Sequence, residues 1–266
     1  MAHTDKQPIK NTPWTAKIVQ HNPNRFGAVL SAVYGFWNSR NSDFRRDSYS
    51  VILFNSSPQT LINHDVTSTP DELLDRIVSI QPTGGTDFNA ALESAKSLME
   101  THWSTDRSPV FIFLSDGEGG LSDYIVRDIC QRAAIRQKPL SLHAVSFASA
   151  TIDLFQMVRA SLDRTRSGSL RRMVAIAEGV VQGAPRNPPS PVAECTYTDA
   201  IDTIRLAETF LDISRSLKKS RAALIPTNRR QPTNYRLITL FSPRSLPYAQ
   251  GQGKDFRGDE IETIRV

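Results

Sequence analysis

The chain has 266 residues, 39% of them apolar, and a formal net charge of +5, enough for one large domain or two small ones with a real core. The charge is local: residues 217–266 carry ten Lys/Arg against four Asp/Glu, a net of +6, whereas the preceding 216 carry 22 against 23, a net of −1. No run of about 18 apolar residues is present to cross a membrane, MAHTDKQPIKNTPW lacks an apolar signal region, and two cysteines, Cys130 and Cys195, make no disulfide framework, so the expectation is an intracellular, cytoplasmic protein with packed, reduced thiols.

Residues 1–24 read as an N-terminal segment that includes TAKIVQ, Thr15 to Gln20. RFGAVLSAVYGFW then places Phe26, Val29, Leu30, Val33 and Trp37 on one helical face. SYSVILF, Ser48 to Phe54, is short, β-branched and aromatic and predicts a strand, with QTLI, Gln59 to Ile62, as a second strand after a tight turn. TPDELLDRI starts a helix with Thr69 as N-cap, Pro70 at the first helical position and Glu72 closing a capping box.

TGGTDFNAAL, Thr83 to Leu92, follows. Its glycine pair frees the backbone for positive φ and close approach to a ligand, and Thr86 and Asp87 offer hard oxygens at a helix start. By itself it reads equally as a glycine turn with Thr86 or Asp87 as an ordinary N-cap. The helix continues through FNAALESAKSLM with Ala91, Leu92, Ala95 and Leu98 inward.

PVFIFL, Pro109 to Leu114, is apolar throughout, as a parallel strand covered on both faces should be, and runs directly into SDGEGG. A helix from about Ser122 to Gln137 leads to the strand LSLHAVSF, Leu140 to Phe147. SLRRMVAIAEG predicts a helix with Ser169 as N-cap and Gly179 as its stop, GVVQG a short last strand, and Asp199 to Leu217 an amphipathic helix with Ile204, Ala207, Phe210, Leu211 and Leu217 inward. Strands alternating with helices predict an α/β fold, a doubly wound, mostly parallel sheet with helices on both faces. The body spans 25–217. Residues 218–266 form a basic, Pro/Gly-containing tail, read as mostly flexible, in which RLITLF, Arg236 to Phe241, fits one short strand or a docking segment.

In such sheets ligands bind beyond the carboxyl ends of the strands. Asp116, directly after a buried strand and before glycine, is held at that mouth, so Thr86 and Asp116 become two oxygen donors for one hard cation. The pairing of TGGTDFNAAL with FIFLSDGEGG, in this order, resembles the von Willebrand factor A domain and its metal-ion-dependent adhesion site, over roughly Arg25 to Leu217. The resemblance implies Thr86 as the threonine ligand and Asp116 as the aspartate ligand of Mg²⁺. Asp87, Ser115 and Glu118 flank them without a matching family role.

One departure stands out. The family's Asp-x-Ser-x-Ser motif, at the end of its first, central strand, has no counterpart in WTAKIVQHNPN, the only stretch before the helix at Arg25. The metal site is therefore incomplete, and the central strand is either missing or replaced by a surrogate near 15–20. A vacant slot would forfeit about five buried side chains, on the order of 10 kcal/mol, comparable with a domain's whole margin of about 5–15 kcal/mol.

The five histidines show no metal spacing, and His143 within a strand reads as packed or partner-bonded. No nucleophile, base and orienter set and no phosphate loop is visible, so an enzyme is not expected. The resemblance implies an intracellular protein-binding module. Mg²⁺ would bind weakly or together with a protein partner that supplies an acidic ligand. Two alternatives use other chemistry: a metal-dependent hydrolase or nucleotide-binding enzyme in the same cleft, and nucleic-acid or acidic-surface binding by the tail, with Tyr235 and Phe241 stacking beside Arg229, Arg230 and Arg236.

Overall fold

The computed structural model describes residues 1, 3–41, 47–104, 107–116, 119–147, 168–183, 193–223 and 234–241. In chain order the elements are α1 (Thr15–His21), α2 (Arg25–Asn41), β1 (Ser48–Phe54), β2 (Pro58–Asp65), α3 (Pro70–Asp75), α4 (Phe88–Thr101), β3 (Arg107–Ser115), α5 (Asp123–Ile135), β4 (Ser141–Ser146), α6 (Gly168–Gly183), β5 (Cys195–Asp199), α7 (Thr203–Ala223) and β6 (Asn234–Phe241). They build one six-stranded sheet in the order β2-β1-β6-β3-β4-β5. β2 runs antiparallel to β1 and every other pairing is parallel, which is the predicted α/β, mostly parallel architecture.

The central slot is occupied, but not from the N-terminal side. β6 lies between β1 and β3, with Ser48 to Leu53 opposite Arg236 to Phe241 and Arg107 to Phe113 opposite Asn234 to Leu240. Leu237 joins the core on one face, Ile238 and Leu240 the core on the other, and all three are fully buried. A strand from the basic tail thus supplies the two-faced burial that a central parallel strand needs. The expected surrogate near 15–20 is instead helix α1. Only Ile18 of that segment is buried and Val19 is 41% exposed, a one-sided pattern that suits a short surface helix.

Helices α1, α2, α3 and α7 cover one face and α4, α5 and α6 the other. α2 is buried nearly all round rather than along one stripe, with Phe26, Leu30, Phe36 and Trp37 enclosed between the sheet, α3 and α7. Thr69, Pro70 and Glu72 form the predicted capping box. GVVQG is not a strand. α6 runs through Gly179 to Gly183, and Ile176 and Val180 still pack on the core. The last strand of the body is instead the alternating CTYTD of β5 at the sheet edge. In α7 the buried stripe is Leu206, Phe210, Ile213 and Leu217, while Ile204 is 69% exposed, so the predicted face is out of phase by part of a turn. Among the described residues no helix is long and apolar enough to cross a membrane.

Candidate functional site

The loop after α3 is held by one side chain, Asn55, at the carboxyl end of β1. Its amide nitrogen donates to the Thr83 carbonyl at 3.0 Å, its amide oxygen accepts from the Ser57 backbone N–H at 2.8 Å, and its own carbonyl accepts from the Asp87 N–H at 2.8 Å. The glycines serve this grip. Gly84 has φ +85°, and a Cβ there would lie 3.0 Å from the Asn55 amide nitrogen; one on Gly85 would lie 3.0 Å from the Ser56 hydroxyl. Asp87 is committed as the N-cap of α4, accepting from the Ala90 N–H at 3.0 Å. Thr86, next to it, is partly buried, and its hydroxyl makes no hydrogen bond among the described residues.

Asp116 follows β3 at the same end of the sheet, its side chain 16% exposed. Its Oδ2 accepts from the N-terminal ammonium of Met1 and lies 3.4 Å from Nη1 of Arg25. Arg25 is itself gripped by Asp5, with Nε to Oδ1 at 2.6 Å and Nη2 to Oδ2 at 2.7 Å, a fork that raises its pKa against the opposing effect of burial. The N-terminal segment also crosses the start of α2, where the Arg25 N–H donates to the His3 carbonyl and the Phe26 N–H to the Met1 carbonyl. These carbonyls satisfy amides that a helix start leaves orphaned. The Gly119 backbone packs beneath the Phe88 ring, where any Cβ would fall within 2.6 Å of it, and its carbonyl accepts from Ser169 Oγ at 2.9 Å. Ser169 therefore ties α6 to this loop from inside the helix rather than capping it. Ser115 is buried, and Glu118 lies outside the described residues.

Both implied metal ligands sit at the carboxyl end of the sheet, yet no hydrogen bond joins them. The donor set does not fit a resident divalent ion. Among the described residues no group of three or more His, Cys, Asp or Glu could hold a metal, and the Asp116 carboxylate already pairs with cations of the chain. Asp5, Arg25 and Asn55 were not singled out from the sequence. Arg25 carried a signal: a cation at a helix N-terminus is unfavourable against the dipole and calls for nearby carboxylates.

Other candidate chemistry is absorbed by packing. Tyr235 and Arg236 are 2% and 3% exposed in β6 and so are closed to base stacking; Arg229 and Arg230 lie outside the described residues. His143 Nδ1 pairs with Thr196 Oγ1 at 2.8 Å, and burial pushes its pKa down to about 4. It lines a cleft of about 130 Å³ with Thr196, Thr198, Arg205 and Asp212, between β5 and α7. Burial pushes the free Cys130 thiol up to about 12 and that of Cys195 to about 11, so both remain protonated.

No curated protein matches the chain. Among solved structures it is similar to proximal thread matrix protein 1 from the mussel byssus, at 11% identity and a TM-score of 0.45, over 76% of this chain and 43% of that one. The chain thus spans less than half the length of that relative. The family model of the von Willebrand factor type A domain matches residues 14–118, a stretch containing Thr86 and Asp116, and supports a domain of that type in this chain.

Proposed function

We propose that the chain is an intracellular protein-binding module of the von Willebrand factor A type, which engages a partner protein at the carboxyl end of the sheet around Thr86 and Asp116. The observation that carries this reading is the Thr86 hydroxyl, partly exposed and without a hydrogen-bond partner among the described residues, on a loop whose neighbours are pinned by Asn55. A rigid loop offering an unused polar group at a strand-end crevice costs little ordering on binding.

In this reading Mg²⁺ is weak or partner-dependent. Any cation at Asp116 competes with Met1 and Arg25 for the same oxygen, and Mg²⁺ releases its waters reluctantly. An acidic partner side chain meets the same cations. The test is quantitative recovery of a partner by wild-type chain, Thr86→Ala and Asp116→Ala, each with and without a chelator. Loss of recovery in both variants with little effect of the chelator is expected; unchanged recovery in both removes this end of the sheet from the interface.

A further inference from the structure

Along the β5 edge of the sheet the apolar core gives way to a polar cleft. Glu194, Thr196 and Thr198, alternate residues at the start of β5 and within it, share the face that looks toward α7. α7 meets them with Arg205, Thr209, Asp212 and Ser216, one stripe at helical spacing. The space between the two rows is about 130 Å³. Ile213, from the core stripe of the same helix, gives it one apolar wall, and His143 of β4, opposite Thr196 in register and 1% exposed, gives it a buried one.

Three polar groups of this cleft have no use within the fold. His143 Nδ1 pairs with Thr196 Oγ1 at 2.8 Å, while the buried Nε2 reaches no partner among the described residues. The Thr198 hydroxyl and the Glu194 carboxylate make no hydrogen bond or ion pair there either. The other charges are balanced within α7, Arg205 Nη1 by Glu208 at 3.3 Å and Asp212 by Arg215 Nη1 at 2.9 Å. A buried polar atom without a partner is costly and calls for an occupant.

The chemistry of that occupant follows from His143. When the Thr196 hydroxyl donates to Nδ1, Nε2 carries the ring proton and needs an acceptor; when Nδ1–H donates to Thr196, Nε2 needs a donor. A hydroxyl serves both tautomers, because it donates and accepts. Burial keeps the ring neutral, with a pKa down at about 4, so it offers no charge to an anion. The Glu194 carboxylate only accepts, and a hydroxyl beside it becomes a charge-assisted donor.

We propose that this cleft is a polyol site, which takes the vicinal diol of a small neutral polyhydroxylated molecule, with one hydroxyl against His143, its neighbour against Thr198 and Glu194, and the C–H face on Ile213. A cavity of about 150 Å³ holds a benzene-sized molecule, so the space suits a compact polyol and not a cofactor, whose pockets start at about 300 Å³. None of the lining residues belongs to the Thr86 loop or adjoins Asp116. The result is therefore separate from partner recovery at that end of the sheet.

Heteronuclear NMR of the full chain tests this by titration with erythritol and, as control, diethylene glycol, which has two hydroxyls but no vicinal pair. Erythritol should give saturable shifts of the His143 ring nitrogens and of the backbone amides at 194–198 and 205–216. The dissociation constant should be on the order of a millimolar, as befits so small a ligand, and the control should not saturate. Thr198→Val keeps the side-chain shape and removes the hydroxyl, and should weaken erythritol by about tenfold. His143→Phe should abolish binding; if that variant does not fold, Thr198→Val decides. Equal, linear shifts with both compounds, no shift with erythritol, which leaves the cleft to water alone, or wild-type affinity in Thr198→Val would each overturn the proposal.

Discussion

The backbone N–H of Tyr235 donates to Asp47 Oδ1 at 3.0 Å across 188 residues of chain, while Asp47 Oδ2 accepts from Arg40 Nε at 2.7 Å. One buried carboxylate therefore fastens the start of β6 to the residue before β1 and to the end of α2. Asp47→Ala leaves the fully buried Arg40 without its partner, and breaking such a pair costs about 3–5 kcal/mol. Urea unfolding should show a loss of that order, and hydrogen exchange should show faster exchange across 235–240. A loss under about 0.5 kcal/mol, the range of ordinary surface changes, would show that β6 is not anchored there.

The glycine loop offers a paired test of backbone strain. Gly84 sits at φ +85° against the Asn55 side chain, whereas Gly120 has no positive φ and nothing within 4 Å of an added Cβ. Gly84→Ala should therefore cost about 1–3 kcal/mol, and Gly120→Ala should stay near wild type. Chemical denaturation of both variants checks the difference; equal stabilities would mean that the loop does not need its left-handed glycine.

Thr86 separates binding from folding. Its hydroxyl makes no hydrogen bond among the described residues, so Thr86→Ala should leave stability within about 0.5 kcal/mol while reducing partner capture. If the variant melts well below wild type, the hydroxyl has a structural duty and its place in the interface loses support.

Acid should destabilise the fold before most carboxylates titrate. Burial, then Arg236 and Arg107, push the His64 pKa down to about 4, and burial does the same to His143. Both are depressed from 6.5, so the unfolded chain takes up protons first as pH falls. The stability they contribute is present above about pH 6.5 and is lost between there and about pH 4, at up to about 1.4 kcal/mol per pH unit for each histidine. Unfolding free energies from pH 7 to 4 measure the slope, which His143→Gln should reduce; an unchanged slope would mean that His143 does not titrate on unfolding.

What the sequence disclosed depended on how local the controlling interactions are. The capping box at Thr69 and Glu72, the N-cap at Asp87 and the buried run of β3 are written within a few residues, and the structure contains each of them. The occupant of the central slot is set by a pairing of Ser48 with Arg236 that no window along the chain contains. The basic tail hid this strand, because Arg236 reads as solvated charge unless the buried end of the sheet is known. The phase of α7 failed for a related reason: Ile204, 69% exposed, mimics a core position in a helical count. At the candidate site the oxygen donors were legible, but the cations that meet Asp116 come from Met1 and Arg25, whose approach only the fold determines.

In the proposed reading, cations of the chain rather than a metal balance the Asp116 carboxylate. Titration of the isolated chain with Mg²⁺ in a calorimeter addresses this directly. The expected result is no saturable heat at micromolar metal, because Thr86 and Asp116 supply at most two protein ligands to an ion that demands near-octahedral oxygen geometry. A dissociation constant in the low micromolar range, lost in Asp116→Ala, would contradict the account.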